Sequence, residues 1–143
     1  LNVSVDGYIP DDYVESDYEK LELYQRLDKA KTMSELNSLK AEFDDYYGNL
    51  PEAILTLIEK RKLEILSHYS IIEDIKDSGK QLEIIFSPNA FETISGDKLF
   101  LLANRLITKP AFKSLDNKIT IKINKHDQWL NRLNEFIETL SKK

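Results

Sequence analysis

Cysteine is absent from the 143 residues, so neither a disulfide framework nor a thiolate metal site can form. Histidine is scarce: His68 and His126 stand far apart, and neither has a second ligand at a metal-site spacing such as His-x-x-x-His. The glycines Gly7, Gly48, Gly79 and Gly96 are scattered, which excludes a glycine-rich loop that cradles phosphate. No serine lies in a nucleophile-elbow pattern. No apolar run approaches the roughly 20 residues of a membrane span, and no basic-then-apolar segment opens the sequence. The cytoplasm is the simplest compartment for such a chain, with no membrane partner expected. No catalytic, cofactor-binding or metal residue is assigned, and no enzyme activity is expected of these residues.

What is present is a globular composition: 41% apolar and 31% charged residues, enough for one domain with a core of its own. The net charge of −5 is unevenly spread. Residues 1–52 hold 13 of the 25 acidic side chains but 5 of the 20 basic ones. An acidic first third repels phosphate backbones and suits a basic protein partner; a solvated surface that only aids solubility reads the same way. The sequence opens at Leu1, not Met, inside an extended segment, so a piece of a longer protein is expected.

Two capping boxes mark helix starts: Ser16 with Glu19, and Thr32 with Glu35. The first helix is predicted to reach about Lys29, offering Leu21, Leu23, Tyr24 and Leu27 to a core. The second aligns Leu36, Leu39, Phe43 and Tyr47 and stops at Gly48. Pro51 opens a third, predicted to run to about Tyr69 with Ile54, Leu55, Ile58, Ile65, Leu66 and Tyr69 inward. The pattern then changes to period two. Ile71–Lys76 and Gln81–Phe86 flank Asp77-Ser78-Gly79-Lys80 as a hairpin. Ser87-Pro88 begins a short helix to about Ile94, and Ser95-Gly96-Asp97 restarts one through Leu99, Leu102 and Leu106. Residues 112–115 and 119–123 form a second hairpin across Asp116-Asn117-Lys118. Trp129, Leu133, Phe136, Ile137 and Leu140 mark a final amphipathic helix. The order argues for α+β: a helical N-terminal part, then antiparallel hairpins with packed helices. One domain spanning 1–143 is expected, with a possible seam near residue 70.

Carboxylates are the chemistry-bearing groups left to weigh. Asp11-Asp12 reads as loop and cap chemistry, and neighbouring helical side chains such as Asp44 and Asp45 diverge, so neither pair makes a cation site. Lys60-Arg61-Lys62, with Lys118, Lys122 and Lys125, is the basic material for a nucleic-acid contact, but no aromatic RNA-binding motif or zinc finger accompanies it. On the second helix Glu35, Ser38, Glu42 and Asp45 share a flank away from the apolar stripe. Such an acidic ridge can meet arginines, or simply face water.

Three segments carry a resemblance: Tyr8-Ile9-Pro10-Asp11-Asp12-Tyr13-Val14, Leu21-Glu22-Leu23-Tyr24-Gln25-Arg26-Leu27, and Glu42-Phe43-Asp44-Asp45-Tyr46-Tyr47-Gly48-Asn49-Leu50-Pro51. In order and spacing they resemble the C-terminal domain of the bacterial transcription-repair coupling factor, the translocase Mfd. The resemblance implies a regulatory domain without motor motifs in a large ATP- and DNA-binding repair protein. It implies docking on the UvrB-like N-terminal module of the same protein, masking the surface that binds UvrA until RNA polymerase is engaged. It further implies that Glu42 and Asp45 form the interdomain interface, paired with arginines of that module. Tyr46 stands where the family usually has arginine, and Tyr47 where it has phenylalanine. A nucleic-acid-binding accessory role for the basic later two-thirds is the alternative, with direct DNA contact the less expected of the two.

Overall fold

The structure, a computed structural model, describes residues 3–126 and 128–142. They form two compact units, Val5–Ile65 and Leu1–Ser4 with Leu66–Lys143. Five α-helices and a four-stranded antiparallel sheet make the fold α+β.

The Val5–Ile65 unit contains α1 (Asp17–Lys29), α2 (Met33–Tyr47) and most of α3 (Glu52–Leu66). The hydroxyl half of each expected capping box forms, while Glu19 accepts from the Tyr47 hydroxyl and Glu35 from an N–H one residue before its cap. Ser16 Oγ accepts from Glu19 N–H at 3.3 Å and Thr32 Oγ1 from Glu35 N–H at 3.1 Å. Glu35 reaches back to the Lys31 N–H at 3.1 Å. Leu23, Leu27, Leu36, Leu39, Phe43, Ile54 and Ile58 are buried together with Ile9 and Val14 from the extended lead-in. Leu21 departs from expectation: it is 57% exposed. Leu23 and Leu27, four residues apart, set the inward direction of α1, and Leu21 points about 200° away from Leu23 on the helix circuit. On α3, Leu63 is wholly buried although it was outside the expected stripe, while Leu55 and Ile65 are only half-buried.

Gly7 crosses α3 at close range, and the Tyr8 N–H donates to the Ala53 carbonyl at 3.2 Å. A Cβ at Gly7 would stand 2.8 Å from the Leu57 nitrogen and 2.9 Å from its Cα. Backbone cannot yield as a side chain can. Gly7→Ala is therefore expected to destabilise the unit by roughly 1–3 kcal/mol, read as a lower denaturation midpoint with an unchanged m-value.

In the second unit α3 ends at Leu66, short of the expected Tyr69, whose hydroxyl instead donates to the Leu140 carbonyl at 3.3 Å. Strands β1 (Ile72–Asp77) and β2 (Gln81–Phe86) form the first hairpin; β3 (Ala111–Leu115) and β4 (Lys118–Asn124) form the second. The second turn is tighter than expected. Leu115 already pairs with Lys118, leaving Asp116 and Asn117 alone in the loop at φ of 52° and 63°. Aspartate and asparagine tolerate the left-handed region that a two-residue hairpin turn demands. The segment after Ser87 is a 3₁₀ turn, Pro88–Glu92, followed by α4 (Gly96–Leu106), whose N-cap Ser95 accepts from the Lys98 N–H at 3.1 Å.

The strand order is β1-β2-β4-β3, so β2 and β4 join the two hairpins. Leu82, Ile84, Phe86, Ile121 and Ile123 are at most 2% exposed, and their cross-strand alternation defines the buried face. The last helix, α5 (Trp129–Ser141), adds Leu130, Leu133, Phe136, Ile137 and Leu140 to the core; Trp129 is only half-buried, with Lys125 Nζ 5.2 Å from its ring centre.

One ion pair is shielded. Lys125 Nζ meets Asp77 Oδ2 at 2.7 Å, and the Asp77 side chain is 5% exposed. The same carboxylate accepts from the Ser4 and Gly79 N–H groups, both at 2.8 Å. Burial pushes the Asp77 carboxyl up, but the hydrogen bonds from Lys125, Ser4 and Gly79 outweigh it and hold it down at about 2. A carboxyl held lower in the folded than in the unfolded chain stabilises most at pH above its ordinary value of 3.8, and that stabilisation fades as pH falls towards 2. Asp77→Asn is expected to cost about 1.5–3 kcal/mol at pH 7, with the gap to the parent chain closing in melts run down towards pH 2.

Candidate functional site

The acidic flank of α2 builds a site from two helices. Leu36, Leu39 and Phe43 turn one side of α2 into the core, which by helical geometry leaves Glu35, Ser38, Glu42 and Asp45 outward. The C-terminal half of α1 runs beside that flank. Arg26, Lys29 and Ala30 face Ser34, Glu35, Ser38, Leu39 and Glu42 across an open groove of about 420 Å³. Arg26 Nη2 forms an ion pair with Glu42 Oε2 across it. Both side chains stay well exposed, 40% for Arg26 and 56% for Glu42, so the pair is in contact with solvent and is individually weak. Asp45 lies one turn farther along α2, exposed, and makes no ion pair among the described residues.

Glu35 and Glu42 thus line one groove, and Asp45 continues their line. Glu35 is already used as a helix cap. Arg26 is the site residue that the acidic pattern alone does not reveal. It belongs to α1, and its place opposite Glu42 depends on how two helices cross.

Aromatic side chains hold the C-terminal end of α2. The Tyr13 hydroxyl donates to the Gly48 carbonyl at 2.8 Å and lies 3.2 Å from the Phe43 carbonyl; the Gly48 carbonyl, at the C-cap, has no intrahelical partner of its own. Tyr13 and Tyr47 rings stand 5.5 Å apart, and Tyr46 and Tyr47 meet edge-on at 4.7 Å. The Tyr47 hydroxyl donates to Glu19 Oε2 at 3.0 Å. Burial, then the hydrogen bond and charge of Glu19, push the Tyr47 hydroxyl up to about 12, so it remains a donor at any physiological pH. Tyr47 is therefore more than a phenylalanine with an added oxygen: its hydroxyl ties α2 to α1. Tyr46 is 77% exposed. Arg61 of α3 reaches the C-terminal end of α1. Its Nε and Nη2 donate to the Ala30 carbonyl at 3.1 and 2.8 Å, capping the end of α1.

No group of three or more metal-ligating side chains occurs among the described residues, and no helix there is long and apolar enough to cross a membrane.

The family model for the TRCF domain matches residues 3–96. The chain belongs to the TRCF domain family. That match takes in α1, α2, α3, the first hairpin and the groove. This TRCF domain is 29% identical over 140 residues to the transcription-repair-coupling factor of Staphylococcus epidermidis strain RP62A. Against those of Staphylococcus haemolyticus strain JCSC1435 and Staphylococcus aureus strain USA300 the identity is 28%. The alignments cover 98% of the chain but only 12% of each of these relatives. The crystal structure of the C-terminal domain of a transcription-repair coupling factor superposes with a TM-score of 0.76 at 18% identity, over 96% of this chain and 88% of that one. The TRCF domain here therefore has the fold of that C-terminal domain.

Tyr13→Phe is expected to loosen the end of α2 at a cost of about 1 kcal/mol, visible as faster hydrogen exchange at the amides of residues 46–48, while the Arg26–Glu42 pair is kept.

Proposed function

We propose that this domain is a regulatory docking module of a transcription-repair coupling translocase, with no catalysis of its own. It would dock on the UvrB-like N-terminal module of the same protein and mask the surface that UvrA uses, relieving the mask when RNA polymerase is engaged. The observation that carries the reading is the acidic line of α2. Glu42 and Asp45 stand three residues apart, exposed, on a helix whose opposite side is pinned in the core, and Glu42 already receives a guanidinium from Arg26. An incoming arginine would have to displace Arg26 from Glu42, which an exposed and individually weak pair allows at small cost.

The energetics fit a switch. Truncating one partner of a hydrogen-bonded charge pair at an interface costs about 2–5 kcal/mol, partly because the other charge is stranded. Tethering in one chain supplies an effective concentration on the order of millimolar. A contact too weak to hold two separate proteins can therefore stay closed within one, and yield to a partner that binds the open form better.

The nucleic-acid alternative finds less support in the side chains. Arg61 is spent on the Ala30 carbonyl, Lys118 pairs with Glu73 at 2.8 Å, and Lys125 pairs with Asp77. Arg61 and Lys125 are shielded in these contacts, whereas the Lys118–Glu73 pair is as open to solvent as Arg26–Glu42 and just as exchangeable.

Calorimetric titration of the domain into the UvrB-like module at low and moderate salt tests the proposal. Docking is expected to weaken with salt and to drop at least tenfold on the double reversal Glu42→Arg and Asp45→Arg, with thermal stability unchanged within about 0.5 kcal/mol. Docking that ignores both the reversal and the salt would refute the assignment. Salt-steep binding to duplex DNA would favour the alternative.

A further inference from the structure

The opposite end of the sequence carries a surface that the docking reading does not use. Strand β3 is at the end of the β1-β2-β4-β3 order, so one side of its backbone faces no strand among the described residues. Beside it an apolar groove of about 270 Å³ opens between β3, Ile119 of β4 and α4, lined by Gly96, Leu99, Phe100, Phe112 and Ser114. That volume suits one large side chain and falls below the range of cofactor sites. Phe100 is 53% exposed and packs on Phe112 with ring centres 5.0 Å apart. Phe91, also partly exposed, lies beside Gly96: a Cβ there would meet its ring at 3.8 Å.

The one charged residue among those that line this groove is a lysine, Lys113, and it is exposed. The pleat then fixes a pattern. Phe112 shares the buried-face side with its partner Ile121, and Lys113 points to the other side with Thr120.

We propose that β3 and the Phe100–Phe112 groove form a docking edge for an acidic, extended peptide segment of a partner protein. The segment adds antiparallel or parallel to β3 by main-chain hydrogen bonds, as strand-addition partners do. Its residue facing Phe112 is large and apolar and enters the groove. The residue next to it, on the other side of the pleat, is acidic and faces Lys113. Backbone pairing, apolar anchor and charge thus select the same short alternating sequence. An open edge strand that carries an exposed lysine resists self-pairing, because a second copy brings its own Lys113.

The test uses amide chemical-shift mapping of the isotope-labelled chain with a capped seven-residue peptide that alternates glutamate with apolar residues around a central phenylalanine. Saturable shifts are expected at the amides of residues 111–114 and 99–100. Lys113→Glu is expected to weaken binding at least tenfold. Methylating the peptide's backbone nitrogens on the pairing side is expected to abolish it, and Phe100→Ser to lower it without unfolding a chain in which that ring is half exposed. A melt of each variant accompanies the titration. Absence of shifts at millimolar peptide would overturn the proposal, as would equal binding of the lysine-for-glutamate peptide. A concentration-dependent dimer broadening the same amides would reassign the edge to a second copy. Steeply salt-dependent shifts from a single-stranded oligonucleotide would reassign it to nucleic acid.

Discussion

The antiparallel pairing of β2 with β4 is what makes one sheet of two local hairpins. Each hairpin alone has one apolar face and an open edge, and a two-stranded ribbon is marginal in water. Matching Leu82 with Ile123 and Ile84 with Ile121 aligns both apolar faces on one side. A slip of one residue would turn all of them to solvent. This join also decides which edges stay open. Because the second strand of each hairpin is inside, the first strands, β1 and β3, are outside, and the exposed groove at β3 exists for that reason.

The helical unit obeys a different constraint: every helix end must place its leftover backbone groups. Serine and threonine hydroxyls take the N-termini of α1 and α2, while Tyr13 and Arg61 reach in from other elements for the carbonyl ends. The shared core and the hydrogen bond from Tyr47 to Glu19 set α1 beside α2, and that alignment puts Arg26 opposite Glu42. The acidic ridge therefore arrives with an internal cation in place, so a competing arginine has to displace one, which makes the contact exchangeable and sensitive to ionic strength.

The two surfaces differ in kind. On α2 the charges dominate and the apolar residues are hidden; on β3 the apolar groove is the centre, with Lys113 as its one charged lining residue. A docking partner for the first needs arginines, and one for the second needs an alternating acidic and apolar strand.

Periodicity, caps and turn residues alone determined the helix starts at Ser16 and Thr32, both hairpins and most of the core, because those signals act within a few residues and are repeated at each element. The spacing of Glu42 and Asp45 on one flank was legible for the same reason. Local signals were weaker where two determinants competed. Leu21 is apolar yet faces water because Leu23 and Leu27 set the direction of α1, and Asp116-Asn117 took a two-residue turn because only that loop keeps Leu115 in register with Lys118. Only the tertiary structure decided that β4 lies beside β2, that Arg26 meets Glu42, and that Arg61 caps Ala30. Each of these joins residues at least 16 positions apart, and no sequence period reports a distance that is set by how helices cross and strands pair.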